Sequence, residues 1–217
     1  MNFKLNALAA GASIALAIFA TPALAVQVYN LDSTAVPEFG LPSYGTVTLT
    51  QDGTSVDVSV ALRADLNFVS TGNDNSKAVF SFNATGVAAG DIGSIADASG
   101  QTFSVVTPGS NSPFGQFTFG ILCATGCANG GSGGGYSDPL TFTVANATLA
   151  DFNLLSTGGN PNAYFAADVY MSGTGATGAV GSTSVMTPVP EPETYALMLA
   201  GLGAMGFVAK RRKAAAK

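Results

Sequence analysis

The sequence predicts an all-β protein: a single antiparallel domain of the β-sandwich or jelly-roll-like type, between two apolar terminal segments. Short runs of alternating polar and apolar residues, typical of half-buried strands, recur through the middle of the chain. Glycine, proline, asparagine and aspartate separate these runs and favour turns. Only 10% of the 217 residues are charged, so the charged residues that favour helices are scarce.

The clearest element is a β-hairpin around Asp52-Gly53, a dipeptide typical of two-residue hairpin turns. Residues 46–50 before it and residues 56–62 after it alternate between polar and apolar side chains. Phe117 and Phe119 are expected on one face of a later strand. Further strands are predicted at residues 78–82, 102–106, 114–122, 140–144 and 163–170, with a helical turn within 145–155 and a loop or short helix within 88–95.

Residues 1–25 have the three parts of a secretory signal peptide. Lys4 supplies positive charge, residues 7–20 form an apolar run that predicts a signal helix, and Pro22 ends it. Ala23 and Ala25 are the small residues that signal peptidase requires before the bond it cleaves. The sequence therefore predicts export and a mature chain that begins at Val26. An uncleaved membrane anchor is the alternative, and the short apolar run argues against it.

The C-terminal segment also has three parts: a rigid acidic motif, an uncharged apolar helix at residues 195–209, and a basic tail at residues 210–217. Fifteen helical residues reach about 22 Å, less than a bilayer core of about 30 Å, so the helix suits a temporary anchor. The positive-inside rule places the basic tail in the cytoplasm. The motif consists of Val189, Pro190, Glu191 and Pro192, and the basic anchor consists of Lys210, Arg211, Arg212 and Lys213.

This three-part end resembles a PEP-CTERM sorting signal. The resemblance implies recognition by an exosortase, a membrane-embedded cysteine protease or transpeptidase of Gram-negative bacteria. It also implies export with extracellular polysaccharide, and biofilm or floc formation. The sorting-signal resemblance covers residues 189–217, so it predicts where the protein goes and leaves the activity of the middle domain open. A plain C-terminal membrane helix is the alternative.

Four parts are therefore expected: a signal peptide at residues 1–25, a β-sandwich at 26–171, a linker rich in glycine, serine and threonine at 172–188, and the sorting signal at 189–217. Between residues 26 and 189, two basic residues stand against eleven acidic ones, a net charge of −9. That charge argues against nucleic-acid binding, which requires a basic surface. The sequence contains no histidine, which excludes Ser-His-Asp and Cys-His catalysis and the usual histidine-containing zinc sites.

Cys123 and Cys127 are the two cysteines, separated by three residues. Because the chain is predicted to be exported, the pair predicts a structural disulfide. A redox pair or a metal pair is the alternative. Redox motifs usually have two intervening residues, and two thiols without histidine make a poor zinc site.

No catalytic residue, metal site or cofactor is predicted. An oxygen-rich loop at Asn73, Asp74 and Asn75 could hold Ca²⁺, but a solvated turn is favoured. The same holds for an assembly of Asp138, Asp151 and Asp168. Exposed aromatic rings could stack on sugars, and the candidates are Tyr44, Tyr136 and Tyr164.

The sequence thus predicts an exported, non-catalytic surface or extracellular-matrix protein. Its expected partners are signal peptidase and exosortase as processing enzymes, the membrane transiently, and exopolysaccharide. The expected route runs through an inner-membrane intermediate to the outer surface or matrix of a Gram-negative bacterium. The alternatives are a carbohydrate- or Ca²⁺-binding adhesin and, less favoured, a secreted hydrolase, which would need two carboxylates in one cleft.

Overall fold

A computed structural model describes residues 24–40, 43–71, 78–96, 101–125, 127, 139–185, 198–203, 205 and 206. Short 3₁₀ helices lie at Pro37–Phe39, Ala89–Asp91 and Leu149–Phe152. The strands are β1 (Val26–Leu31), β2 (Ser33–Thr34), β3 (Gly45–Asp52), β4 (Ser55–Leu62), β5 (Leu66–Phe68), β6 (Phe80–Phe82), β7 (Ile92–Ala96), β8 (Thr102–Val106), β9 (Gly109–Asn111), β10 (Gly115–Phe117), β11 (Phe119–Thr125), β12 (Leu140–Ala145), β13 (Phe165–Met171) and β14 (Thr177–Ser182).

Two antiparallel sheets form the domain. One has five strands in the order β1-β3-β4-β12-β7. The other has the order β2-β14-β13-β6-β11-β8, and β5 also pairs with β13. A separate hairpin, β9-β10, pairs Asn111 with Gly115. The predicted all-β, sandwich-like fold is confirmed.

The β3-β4 hairpin forms at the predicted turn. Asp52 pairs with Ser55, and Gly53 has a φ of 56°, a left-handed conformation that glycine adopts without strain. Alternation along both strands then sends every second side chain into the core. The buried residues of the hairpin are Val47, Leu49, Val56, Val58 and Val60.

Aromatic rings from both sheets meet at the centre of the core. Phe82 is fully buried, and its ring centroid lies 5.2 Å from that of Phe142, on the opposite sheet. Phe119 and Phe152 lie 5.5 and 6.0 Å from Phe82. These spacings are those of favourable ring contacts, which add to the free energy of burying large apolar side chains.

The predicted strand at residues 114–122 is wrong as a single element. The chain there forms β10 and β11, separated at Thr118, whose backbone N–H donates to the Asn83 side chain at 2.7 Å instead of to a neighbouring strand. Consequently Phe119 packs in the main core, whereas Phe117 joins Phe114 in a second cluster over Ala166. The two phenylalanines therefore do not share one face.

The predicted linker at residues 172–188 is wrong for residues 177–182, which form β14 and pair with β13. The glycines in β14 allow close packing and do not indicate a flexible backbone. A Cβ at Gly178 would lie 2.4 Å from Val36, and a Cβ at Gly181 would lie 2.7 Å from the Phe114 ring. The absence of side chains lets β14 lie against its neighbours.

Both short helical expectations are partly met. The turn expected within residues 145–155 is the 3₁₀ helix Leu149–Phe152, and the Asp151 carboxylate caps its start by accepting from the backbone N–H of Thr148. Ala89–Asp91 is the short helix expected within 88–95, and β7 follows it directly. Strand β1 had no counterpart among the predicted strands.

Within the predicted C-terminal helix, residues 198–203, 205 and 206 are described and are helical. Among the described residues, no helix has the length and apolarity needed to cross a membrane. The predicted signal helix and the basic tail lie outside the described residues.

Replacing Phe82 with alanine should lower the free energy of unfolding by about 3–5 kcal/mol, because it removes a ring at the junction of the two sheets. Urea denaturation of the purified protein measures this. The control is Leu154→Ala, since Leu154 is 50% exposed and its loss should change stability by about 0.5 kcal/mol or less. Equal stabilities for the two variants would contradict a core centred on Phe82.

Candidate functional site

The predicted signal-peptidase junction lies at the start of β1. Val26 is 40% exposed and pairs with Thr50 at the edge of the five-stranded sheet. The carbonyl of Ala25, which belongs to the predicted cleavage bond, accepts a hydrogen bond from the backbone N–H of Gln51 at 2.9 Å. Folding therefore engages the same backbone that the peptidase would have to bind. Ala23 lies outside the described residues.

The chain leaves the domain toward its C-terminus at the other end of β1. Ser182, the last residue of β14, is fully buried, and its carbonyl accepts from the N–H of Tyr164 at 2.8 Å. The next two residues, Thr183 and Ser184, are both bound by the carboxylate of Asp32, which directly follows β1. We call Asp32, Thr183 and Ser184 the exit clamp.

The exit clamp contains three hydrogen bonds to one carboxylate. The Thr183 backbone N–H and hydroxyl donate to Oδ1 of Asp32 at 2.9 and 3.0 Å. The Ser184 hydroxyl donates to Oδ2 at 2.5 Å. Hydrogen bonds to an ionised acceptor are stronger than neutral ones, so the clamp ties the departing chain to the end of β1.

The predicted disulfide is present. Cys123, in β11, is bonded to Cys127, with a Cα–Cα distance of 5.9 Å. Closing so short a loop restricts the unfolded chain modestly, by about 2 kcal/mol in the chain-entropy description. The bond fixes the end of β11.

The described aspartates of the proposed Ca²⁺ assembly serve local structure. Asp168, in β13, is 3% exposed and accepts from the backbone N–H and hydroxyl of Thr71 at 2.9 and 2.6 Å. Asp151 accepts from the same two groups of Thr148 at 2.7 and 2.8 Å. Within the described ranges, no three histidine, cysteine, aspartate or glutamate side chains are grouped closely enough to hold a metal. Asn73, Asp74, Asn75 and Asp138 lie outside those ranges.

Electrostatics favour the ionised form of two surface carboxylates. A hydrogen bond from Arg63 lowers the pKa of Asp65, and the backbone N–H of Ala88 lowers the pKa of Asp91. Both shifts move these groups away from service as general acids near neutral pH, which requires a raised pKa. Burial raises the pKa of Tyr29 to about 12, so this phenol stays neutral.

The described tyrosines that were candidates for stacking on a sugar, Tyr44 and Tyr164, are wholly or partly covered. The expectation that Tyr44 is exposed is wrong: it is 3% exposed, and the Arg63 guanidinium covers its ring at 5.5 Å from the centroid. Tyr164 is half-buried and lies 5.6 Å from the ring of Tyr29. Tyr136 lies outside the described residues.

The outer face of the five-stranded sheet carries a patch of five small hydroxyl side chains and one carboxylate, Asp57, which accepts from the Thr143 hydroxyl at 2.8 Å; the sequence pattern alone did not single it out. Strand register aligns Thr48, Ser59 and Thr141 in one row, and Thr50, Asp57 and Thr143 in the next. An open depression of about 270 Å³ lies on this patch and includes Ser94. We call these two rows the hydroxyl face. A second open depression, of about 370 Å³, lies beside β9-β10 and is lined by uncharged residues.

Comparison with known families identifies a motif at the C-terminal end of the chain. Residues 188–213 match the family model of the PEP-CTERM protein-sorting motif. The chain carries a PEP-CTERM sorting motif. It therefore has the sorting signal of an exported, cell-envelope protein that an exosortase processes. No curated protein and no solved structure matches the chain.

The PEP-CTERM match includes the predicted motif Val189, Pro190, Glu191 and Pro192 and the predicted basic anchor from Lys210 to Lys213. It lies wholly beyond β14 and follows the exit clamp by three residues. Neither the motif nor the anchor is among the described residues. Sequence reasoning did not single out Asp32, because its partners lie 151 and 152 residues away and leave no local signal.

Proposed function

We propose that this protein is a non-catalytic component of the cell surface or extracellular matrix, delivered there by exosortase processing. The PEP-CTERM motif at residues 188–213 carries this proposal, because it directly follows a folded β domain. The β domain is the cargo, and the sorting enzyme supplies the chemistry. Signal peptidase acts first, at the bond between Ala25 and Val26.

The side chains of the β domain support a non-catalytic role. Both cysteines are in a disulfide, and the sequence has no histidine. Asp151 and Asp168 accept hydrogen bonds from neighbouring backbone and hydroxyl groups. Glu38, the one glutamate before the sorting signal, lies in a short 3₁₀ helix after Pro37. Acids committed to local structure are poorly placed for acid–base chemistry.

The route has two stages. The C-terminal helix and basic tail first hold the chain at the inner membrane, and processing near Pro190-Glu191-Pro192 then frees the β domain for the outer surface or matrix of a Gram-negative bacterium. As a helix, the apolar run at residues 195–209 would reach only about 22 Å, which is short for a permanent anchor and supports a temporary attachment.

Association with exopolysaccharide, and through it with biofilm, is the role that suits the domain best. The hydroxyl face supports it, since threonine and serine side chains both donate and accept hydrogen bonds, as sugar hydroxyls do. Many such contacts over a broad surface permit weak, repeated binding to a hydrated polymer. The alternative, a carbohydrate-binding adhesin with stacked tyrosines, would have to rely on Tyr136 or Tyr164, because Tyr44 is buried.

Replacing Pro190, Glu191 and Pro192 with alanine should leave full-length protein in the membrane fraction, because the processing enzyme loses its recognition motif. Fractionation of cells that process the wild-type chain, followed by immunoblotting, measures this. The control is Lys217→Ala, outside the matched residues, which should be processed normally. Normal release of the triple variant would contradict the proposal.

Replacing Thr48, Ser59 and Thr141 with alanine should weaken cosedimentation of the purified protein with extracellular polysaccharide from the producing cells. We expect a loss of about tenfold in affinity, from three hydrogen-bonding groups worth about 0.5 kcal/mol each. Serine-to-alanine changes at Ser110 and Ser112, beside β9-β10, provide the matched control. Unchanged binding by the triple variant, or absence of binding by the wild type, would remove the polysaccharide role.

A further inference from the structure

We propose that Asp32 is a positioning residue for C-terminal processing. By holding Thr183 and Ser184 on the β domain, its carboxylate sets the length of chain available between the domain and the sorting motif. The inference rests on the proposed processing at Pro190-Glu191-Pro192. It adds that the folded domain fixes the length of free chain before that motif.

The exit clamp lies where the chain leaves the sheet. Asp32 is fixed on both sides: β1 precedes it, and its own backbone N–H donates to Gly181 of β14 at 2.9 Å. Strand β2 follows and pairs Ser33 with Gly181. The backbone that carries the Asp32 carboxylate is thus held between β1 and β2, at the point where the chain leaves the sheet.

The clamp attaches the chain to the domain beyond the end of β14. Backbone pairing of β14 with β13 ends at Ser182. Beyond that residue, the hydrogen bonds from Thr183 and Ser184 to Asp32 extend the attachment by two residues. Ser182 also donates its hydroxyl to the carbonyl of Ser184 at 3.1 Å, which is a local turn contact and does not reach another strand.

The chain between the clamp and the sorting motif has a limited reach. Six residues lead from Ser184 to Pro190 and span at most about 21 Å when fully extended, at about 3.5 Å per residue. Eight residues lead from Ser182 and span at most about 28 Å. A domain of this size has a radius of gyration of about 15 Å and is wider than either length.

It follows that the enzyme must bind the sorting motif close to the folded domain. Two residues more or fewer change the reach by about a quarter to a third. When a tether is too short to let a tethered motif reach its binding site, the effective concentration of the motif at that site is close to zero. Removal of two residues should therefore obstruct processing, and release of two residues from the clamp should restore it.

The test is a rescue experiment on the full-length chain in cells that process the wild type. Deleting Met186 and Thr187, which precede the matched residues, should slow conversion to the processed form by about tenfold in a pulse-chase measurement. Adding Asp32→Ala to the deletion should return the rate to within about twofold of wild type, because Thr183 and Ser184 then join the tether.

A second variant weakens the clamp by removing hydrogen-bond donors instead of the acceptor. Thr183→Val together with Ser184→Ala leaves the carboxylate in place but removes both hydroxyl donors, and it should also rescue the deletion in part. The matched control is Asp91→Ala, which removes a carboxylate that accepts a backbone N–H at 2.9 Å beside β7, at the opposite edge of the five-stranded sheet. It should not rescue.

Several outcomes would overturn the positioning role. These are a deletion processed at the wild-type rate, a deletion that neither clamp variant rescues, or a rescue by Asp91→Ala, which would indicate general loosening of the domain. If the wild-type chain itself is never processed, the proposed function fails, and this inference fails with it. A processed wild type without rescue overturns the inference alone.

Discussion

The packing of phenylalanine rings between the two sheets is the interaction on which the rest of the structure depends. Phe80, Phe82 and Phe165 on one sheet lie within about 6 Å of Phe142 or Tyr29 on the other. With only two basic residues between positions 26 and 189, ion pairs can contribute little to the domain, and exposed pairs are weak in any case. Burial of apolar surface must supply most of the stability.

That core also determines where the ends of the domain lie. Strand β1 is anchored in it by Tyr29, whose ring packs on Phe165 at 4.7 Å and whose hydroxyl donates to Asn153 at 2.6 Å. The strand begins at the predicted signal-cleavage bond and ends one residue before Asp32. The same strand therefore connects the predicted signal-cleavage bond with the exit toward the PEP-CTERM motif.

Local sequence was sufficient where the physics is local. Alternation around Asp52-Gly53 predicted the β3-β4 hairpin, and the order of motif, apolar run and basic cluster predicted the sorting signal, because the motif is recognisable as a linear pattern. Export predicted the bond between Cys123 and Cys127 through its redox environment. In contrast, β14 was mistaken for a linker because small residues that pack closely have the same composition as small residues in a coil. Asp32 had no signal at all, since its hydrogen bonds with Thr183 and Ser184 form only when the ends of β1 and β14 meet.

Intact mass measurement of the protein recovered from the cell surface or matrix fraction tests the central claim most directly. The account predicts a chain that begins at Val26, contains the Cys123–Cys127 disulfide, and ends near Pro190-Glu191-Pro192 without residues 195–217. A surface form that extends to Lys217 would contradict sorting by C-terminal processing.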